Sequence, residues 1–257
     1  METQRSVRLD GKVALVTGST RGIGEAIARG FAAAGARVWV HGRDRVLGER
    51  IAAELEGRFV AADLARPEEI AALVERIASA EAKLDVLINN AGHHVLMPIE
   101  DLDMTGFDLV WRINVRAPVE LLHRLLPLLR AAPSAAIVNV TSIHDTVPYA
   151  HDMPYCAAKA ALAMVTRTLA IELAPLGIRI NNLAPGAVET DINREILDQI
   201  GRDTFAEWIP LGRVARTDEM VGPALFLASE AASYVTGATL YADGAYRHHL
   251  VRYRHDL

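Results

Sequence analysis

A doubly wound α/β fold, one parallel sheet covered by helices on both faces, is what this chain predicts. Short β-branched runs alternate with longer Ala/Leu-rich stretches from end to end. The β-branched runs are apolar throughout rather than at every second residue, which marks strands buried on both faces. A glycine-rich turn, from Thr17 to Gly24, joins the first such run to the first helical stretch. Strand and helix in strict alternation is the pattern of a parallel, right-handed crossover sheet.

Residues 12–17 form the first strand, and residues 22–34 a helix that Gly35 closes. Residues 37–41 are the second strand, followed by a helix over residues 43–56. Strands over residues 58–62 and 84–89 flank a helix that Pro67 opens in its first turn. Residues 135–141, 179–184 and 239–242 complete the sheet. Two helices are unusual. Residues 115–130 carry Val119, Leu121, Leu122, Leu125, Leu126, Leu128 and Leu129, apolar nearly all round. Residues 153–174 are rich in alanine, with Ala157, Ala158, Ala160, Ala161 and Ala163. A helix apolar on every face must be buried on every face. In a layer that covers a sheet, another subunit must bury the outer side, so a homo-oligomer with twofold symmetry is expected, a homotetramer being favoured.

The chain has 257 residues, 51% of them hydrophobic and 23% charged, which suits one large soluble domain over residues 1–257. No internal repeat or linker divides it. A formal net charge of -5 provides no general field for nucleic acid. The single cysteine, Cys156, forms no internal disulfide and fits a reducing compartment. The first residues lack the apolar stretch of a signal peptide, and no run approaches the ~20 apolar residues of a membrane span. A cytoplasmic protein is expected. A basic tail starts at about Tyr246 and runs through Arg247, His248 and His249. It is either solvated or packed across a subunit interface, where it would bring a cation to a neighbour's cleft.

The turn from Thr17 to Gly24 places Gly18, Gly22 and Gly24 in a Gly-x3-Gly-x-Gly spacing, with Thr20, Arg21 and Ile23 between them. Glycines between a first strand and a first helix let the helix N-terminus approach a pyrophosphate closely, so a dinucleotide site is predicted. At the end of the second strand an acidic residue would hold a ribose hydroxyl, whereas an arginine suits a 2′-phosphate. Arg43 stands there, with Arg21 as a second cation, and bidentate guanidinium–phosphate bonding favours NADP. The alternative is NAD, with Asp44 on the ribose. Asp63 is placed to accept from an adenine amino group with Leu64 against the ring. Asn90, Ala91 and Gly92 end the fourth strand, at the edge where open sheets bind ligands.

Tyr155 and Lys159 lie four residues apart on one helix face, and Ser142 closes an apolar strand. A lysine ammonium nearby favours the phenolate and draws down a tyrosine pKa of ~10. Ser142 would hold the oxygen that gives or receives the proton.

Together these residues resemble the short-chain dehydrogenase/reductase superfamily. The glycine loop, the Asn-Asn-Ala-Gly stretch ending at Gly92, Asn114, Ser142, Tyr155, Lys159 and the Pro185-Gly186 pair stand in that family's order over about residues 8 to 245. The resemblance implies a Rossmann-type fold and an NAD(P)-dependent oxidoreductase acting on CH–OH groups, with Tyr155 as general acid/base and Ser142 steadying the substrate oxygen. It implies that Lys159 binds the nicotinamide ribose and lowers the tyrosine pKa, and that Asn114 holds a relay water. It also assigns Pro185, Gly186, Val188 and Thr190 to the nicotinamide end. Sugar and polyol dehydrogenases of the glucose 1-dehydrogenase kind are the nearer resemblance. There, positions matching His144 and Asn193 line the sugar pocket, while His93 and His94 stand where a glutamate is found. His94 joins Ser142, His144, Tyr155 and Asn193 as the substrate-binding set. His93 and His151 are expected at the cleft as well, with no metal-ligand spacing among the histidines. Residues 190–209 are expected to form a lid. The alternatives are a ketoacyl or small-ketone reductase and, from another class, a non-catalytic NADP-sensing or scaffold protein.

Overall fold

Alternate residues of the central strands feed two separate cores, which is why those strands are apolar without a break. The computed structural model describes residues 7–190 and 200–249. Strands β1 (Val13–Val16), β2 (Arg37–Gly42), β3 (Arg58–Ala61), β4 (Val86–Asn89), β5 (Ala135–Val140), β6 (Ile178–Pro185) and β7 (Thr239–Ala242) make one seven-stranded sheet. Its order is β3-β2-β1-β4-β5-β6-β7 and every pairing is parallel. Ala14, Val16, Val38, Val40, Ile88 and Val138 face one core with helix α1 (Gly22–Ala33), α2 (Arg45–Glu54) and a later helix, Val221–Ala228. Val13, Leu15, Trp39, Leu87 and Ile137 face the other, with α3 (Pro67–Ala78), α5 (Ala117–Ala131) and α6 (Met153–Leu173). The strand order reverses between β1 and β4, the point at which open sheets of this kind leave a crevice.

Several boundaries differ from expectation, for physical reasons. The second helix starts at Arg45 because Asp44 is its N-cap, accepting from Leu47 N at 3.0 Å. The fourth strand starts at Val86, since the buried Asp85 carboxylate takes the Val13 N–H at 2.9 Å in place of a ladder bond. Three helices were not anticipated: α4 (Met104–Trp111), α7 (Arg202–Ala206) and α8 (Val221–Ala228), each too short to show a clear period. A π-helical turn, Arg112–Arg116, joins α4 to α5.

The expectation that the helix over residues 115–130 is apolar all round is corrected. Arg116, His123, Arg124 and Arg130 are exposed beside Val119 on its outer side. The outer side of α6 is the more apolar, exposing Met153, Met164 and Ile171, the last at 78%.

Helix α6 is fastened to the sheet by a buried chain of side chains. Asn89 Nδ2 donates to Asn139 Oδ1 at 2.8 Å, and Asn139 Nδ2 to Thr166 Oγ1 at 2.8 Å. Thr166 donates to Asn182 Oδ1 at 2.6 Å, and Asn182 Nδ2 donates to Thr239 Oγ1 at 3.0 Å. Removing the middle hydroxyl strands two buried amides. Thr166→Val is therefore expected to cost about 2 kcal/mol in a denaturant melt; a loss below about 0.5 kcal/mol would show that the chain carries little stability.

Candidate active site

The carboxyl ends of β1, β2, β4, β5 and β6 open on a cleft of ≈ 690 Å³. On its first side lies the glycine loop. Gly18 and Gly22 take left-handed φ of +64° and +58°, and a Cβ on Gly18 would sit 2.9 Å from Ala91 Cα. Helix α1 begins with Arg21 as N-cap and no side chain bonded to its first N–H groups. Such an uncapped N-terminus at a glycine cradle is built for an anion. Thr17 Oγ1 accepts from Asn90 N and Ala91 N at 3.0 and 3.1 Å, and Asn90 Nδ2 donates to Thr17 O and Gly18 O at 3.0 and 3.2 Å. The Asn90 side chain thus braces the loop. Gly24, expected at the cofactor, is buried behind the wall, where a Cβ would meet Asn90 Nδ2 and Gly18 O at 2.3 Å.

Thr20, Arg21, Gly22, Ile23, Arg43, Asp63, Leu64, Ala91 and Gly92 do line this half of the cleft. Arg21 and Arg43 are exposed there and form no ion pair with a protein carboxylate among the described residues. Asp44 is held in its capping bond. Asp63 Oδ1 accepts from Ala65 N at 3.0 Å, while Oδ2 lies 3.8 Å from Arg66 Nε. Pro185, Gly186, Val188 and Thr190 line the far end.

Ser142, at the end of β5, is buried and accepts from His144 N at 3.2 Å. Tyr155 sits in the first turn of α6 and lines the cleft beside Ser142, whose hydroxyl favours its phenolate. Lys159, one turn further on, is buried with Nζ donating to Val140 O at 2.8 Å and standing 5.4 Å from the Tyr155 ring centroid. Burial pushes the Tyr155 phenol up to about 12, aided by the charges of Asp152, Cys156 and Asp145 and opposed by the Ser142 hydroxyl. Burial pushes the Lys159 ammonium down to about 8, with Asp145 opposing. The expected lowering of the tyrosine pKa is therefore corrected: desolvation of the phenolate dominates and raises it.

Asn114 lies in the π turn, buried behind the wall. Its Oδ1 accepts from His93 N at 2.8 Å and its Nδ2 donates to His93 O at 2.7 Å. The side chain expected to hold a water is thus engaged on main chain. His93, His94 and His144 all reach the cleft. His151 does not: it is exposed outside, with a left-handed φ of 64°, as its carbonyl accepts from Met97 N. No group of three His, Cys, Asp or Glu among the described residues is placed to hold a metal ion. Asn193 lies outside the described residues, as does the middle of the expected lid; Phe205 and Trp208 from its described part line the cleft. The described start of the basic tail folds on its own chain. Tyr246 lines the same cleft, 5.9 Å from the Phe205 ring, and Arg247 stacks 3.7 Å above Tyr241.

Two residues were missed. His41, at the end of β2, is fully buried; its Nδ1 accepts from Gly18 N at 3.0 Å and its Nε2 donates to Ala62 O at 3.2 Å. Burial lowers its pKa to about 4, so it stays neutral and holds the glycine loop to the end of β3. A histidine closing an apolar strand was the available signal. Asp152 is the second. It is the N-cap of α6 yet makes no capping bond, forgoing about 1 kcal/mol. Its carboxylate lies instead 2.9 Å from His94 Nε2, and His94 stands edge-on to Tyr155 at 5.3 Å. Pro154, directly after the first helical residue, removes one N–H that a cap would serve.

A parallel sheet that reverses order beside a glycine loop, with a cleft at its carboxyl edge, defines the class of dinucleotide-binding α/β proteins. Within that class the chain belongs to the short-chain dehydrogenase/reductase family: the family profile described as enoyl-(acyl carrier protein) reductase matches residues 18–247. The D-threitol dehydrogenase of Mycolicibacterium smegmatis is 36% identical over 244 residues, covering 93% of this chain and 94% of the relative. The glucose 1-dehydrogenase of Gluconobacter oxydans is 36% identical over 246 residues, 92% of each. A gluconate 5-dehydrogenase from Burkholderia cenocepacia, solved with NADP and tartrate, superposes with a TM-score of 0.89 at 31% identity, covering 95% of this chain and 97% of that one.

The His41 clamp is separable from chemistry. His41→Leu is expected to raise the exchange rate of the Gly18 amide at least about tenfold by removing a buried acceptor. His41→Asn, whose Oδ1 replaces Nδ1, is expected to restore protection; equal exchange in both variants would dismiss the clamp.

Proposed function

We propose that the protein is an NAD(P)-dependent oxidoreductase that moves a hydride between nicotinamide and a secondary alcohol or ketone, with a sugar or polyol as substrate. One observation carries the chemistry: a tyrosine beside a buried serine and one helical turn from a buried lysine, on the wall of a glycine-cradled cleft. The related threitol and glucose dehydrogenases support the substrate class. Phe205, Trp208 and Tyr246 give the cleft an aromatic side suited to the C–H face of a ring.

The cradle fits a dinucleotide. The glycine loop and the N-terminus of α1 would hold its pyrophosphate, Arg21 and Arg43 a 2′-phosphate, Asp63 the adenine, Lys159 a ribose, and Pro185 to Thr190 the nicotinamide end. NADP is favoured over NAD because the two arginines at the cleft have no carboxylate partner among the described residues, and one oxygen of Asp44 is taken by the helix cap. Bound NADP or NADPH supplies the hydride acceptor or donor. Ser142 holds the substrate oxygen, and Tyr155 receives its proton during oxidation and returns one during reduction. Asn114 fixes the wall at His93 and His94 through the His93 main chain; a relay water near it would rest on the π turn.

With its phenol held near 12, Tyr155 is protonated at neutral pH and already fit to donate. Oxidation needs the phenolate, whose fraction grows with pH below that value. The kcat/KM for alcohol oxidation is therefore expected to climb steadily from pH 6 to pH 9, while ketone reduction stays level to about 8 and declines as Lys159 loses its charge. Tyr155→Phe is expected to lower kcat at least about a thousandfold with cofactor Kd changed less than about threefold. Substantial turnover by that variant would remove Tyr155 from the reaction, and equal kcat/KM with NAD and NADP would remove the role of Arg43.

The same reading includes assembly. The apolar outer side of α6, with Met153, Met164 and Ile171 exposed, suits a twofold contact between copies, a tetramer being favoured. A chain with one cysteine needs no disulfide, which suits the cytoplasm. Light scattering is expected to give a multiple of the 27.9 kDa chain mass, reduced by Ile171→Glu; a mass of one chain would end the oligomer proposal.

A further inference from the structure

Around Tyr155 the protein presents hydrogen-bond acceptors and leaves them without donors. His94 Nε2 lies 2.9 Å from Asp152 Oδ2; a carboxylate only accepts, so Nε2 carries a proton, and in the neutral ring Nδ1 is left with a lone pair. His144 Nδ1 lies 2.9 Å from Val147 O; a carbonyl only accepts, so Nδ1 carries a proton, and in the neutral ring Nε2 is left with a lone pair. Asp152 is 1% exposed, lines the cleft, and its other oxygen, Oδ1, is buried with no partner among the described residues. The rings of His94 and His144 stand 5.3 and 6.4 Å from that of Tyr155, on which the reaction centres.

We infer that this corner reads a second hydroxyl of the substrate, on a carbon adjoining the one oxidised: Asp152 fixes His94 as a lone-pair acceptor for that hydroxyl, and His144 offers another. The inference rests on the alcohol-oxidoreductase reading and narrows its substrate to a vicinal diol or polyol. A substrate carboxylate placed here would face the Asp152 carboxylate and two lone pairs, with no cation among the described residues at that corner to offset the repulsion. An ether or a methylene would leave buried acceptors unpaired. Asp152 is in this sense a positioning residue, acting through His94, much as a buried aspartate sets the tautomer of a catalytic histidine.

Two measurements test this. The first is the tautomer of His94, read by ¹⁵N NMR on the wild-type protein without cofactor or substrate. An Nε2-protonated neutral ring is expected. An Nδ1-protonated ring or an imidazolium would overturn the inference. The second compares kcat/KM, with NADP, for 1,2-cyclohexanediol and its mono-methyl ether. The wild type is expected to prefer the diol at least about tenfold. In Asp152→Asn the amide can donate to Nε2 and turn the His94 tautomer over, so the ratio is expected to fall about tenfold or more, as it should in His94→Phe. A diol-to-ether ratio that survives both substitutions would overturn the inference. Should the wild type oxidise neither alcohol nor cyclohexanol with either nucleotide, the oxidoreductase reading itself falls, and the tautomer alone decides whether Asp152 fixes an acceptor.

Discussion

The seating of helix α6 across the carboxyl edge of the sheet is the constraint on which the site depends. Lys159 reaches through the helix–sheet contact to the Val140 carbonyl, and seven residues further on Thr166 bridges Asn139 and Asn182. Two attachments two turns apart leave the helix no freedom to rotate or slide. Tyr155, one turn before Lys159, is thereby carried to Ser142, two residues past Val140 at the end of β5. Helix packing alone would give less precision, because Ala158, Ala163 and Ala170 on the buried face of α6 offer little side chain to interlock. Directional bonds supply what alanine packing lacks.

The electrostatic consequences follow from the same seating. Putting a phenol and an ammonium together in a desolvated corner moves both toward their neutral forms, the phenol up and the ammonium down. The protein thus holds a proton donor at neutral pH, and ionising the tyrosine requires help from whatever charge enters the cleft beside it.

Much of this was legible in the residues. The strands were readable because burial on both faces removes polar residues from them, and β1, β2 and β5 fall within a residue or two of expectation. The glycine loop and the Tyr155–Lys159 spacing were readable because each needs particular residue types at fixed intervals. What escaped depends on long-range contacts. Nothing local separates Asn90 bonding a ligand from Asn90 bonding Thr17 and Gly18. Asp44 reads equally as a ribose ligand or a helix cap, and the structure gives it the cap on one oxygen while it still lines the cleft. Three short helices carried too few turns for a period, and the pKa of Tyr155 turned on desolvation, which no spacing reveals.

Asp152 shows how a local rule that fails can locate function. An aspartate before a helix whose second residue is proline belongs at a cap, and there it would accept a main-chain N–H. Instead it turns inward, loses the capping bond, and leaves one oxygen buried without a donor. The residue before it, His151, sits in a left-handed conformation that non-glycine residues seldom adopt. The main-chain bond from Met97 N to the His151 carbonyl offsets part of these costs, but it does not require the Asp152 carboxylate to turn inward. Those costs do place a carboxylate behind His94 and an acceptor beside Tyr155. A fold under selection for stability alone would have capped the helix.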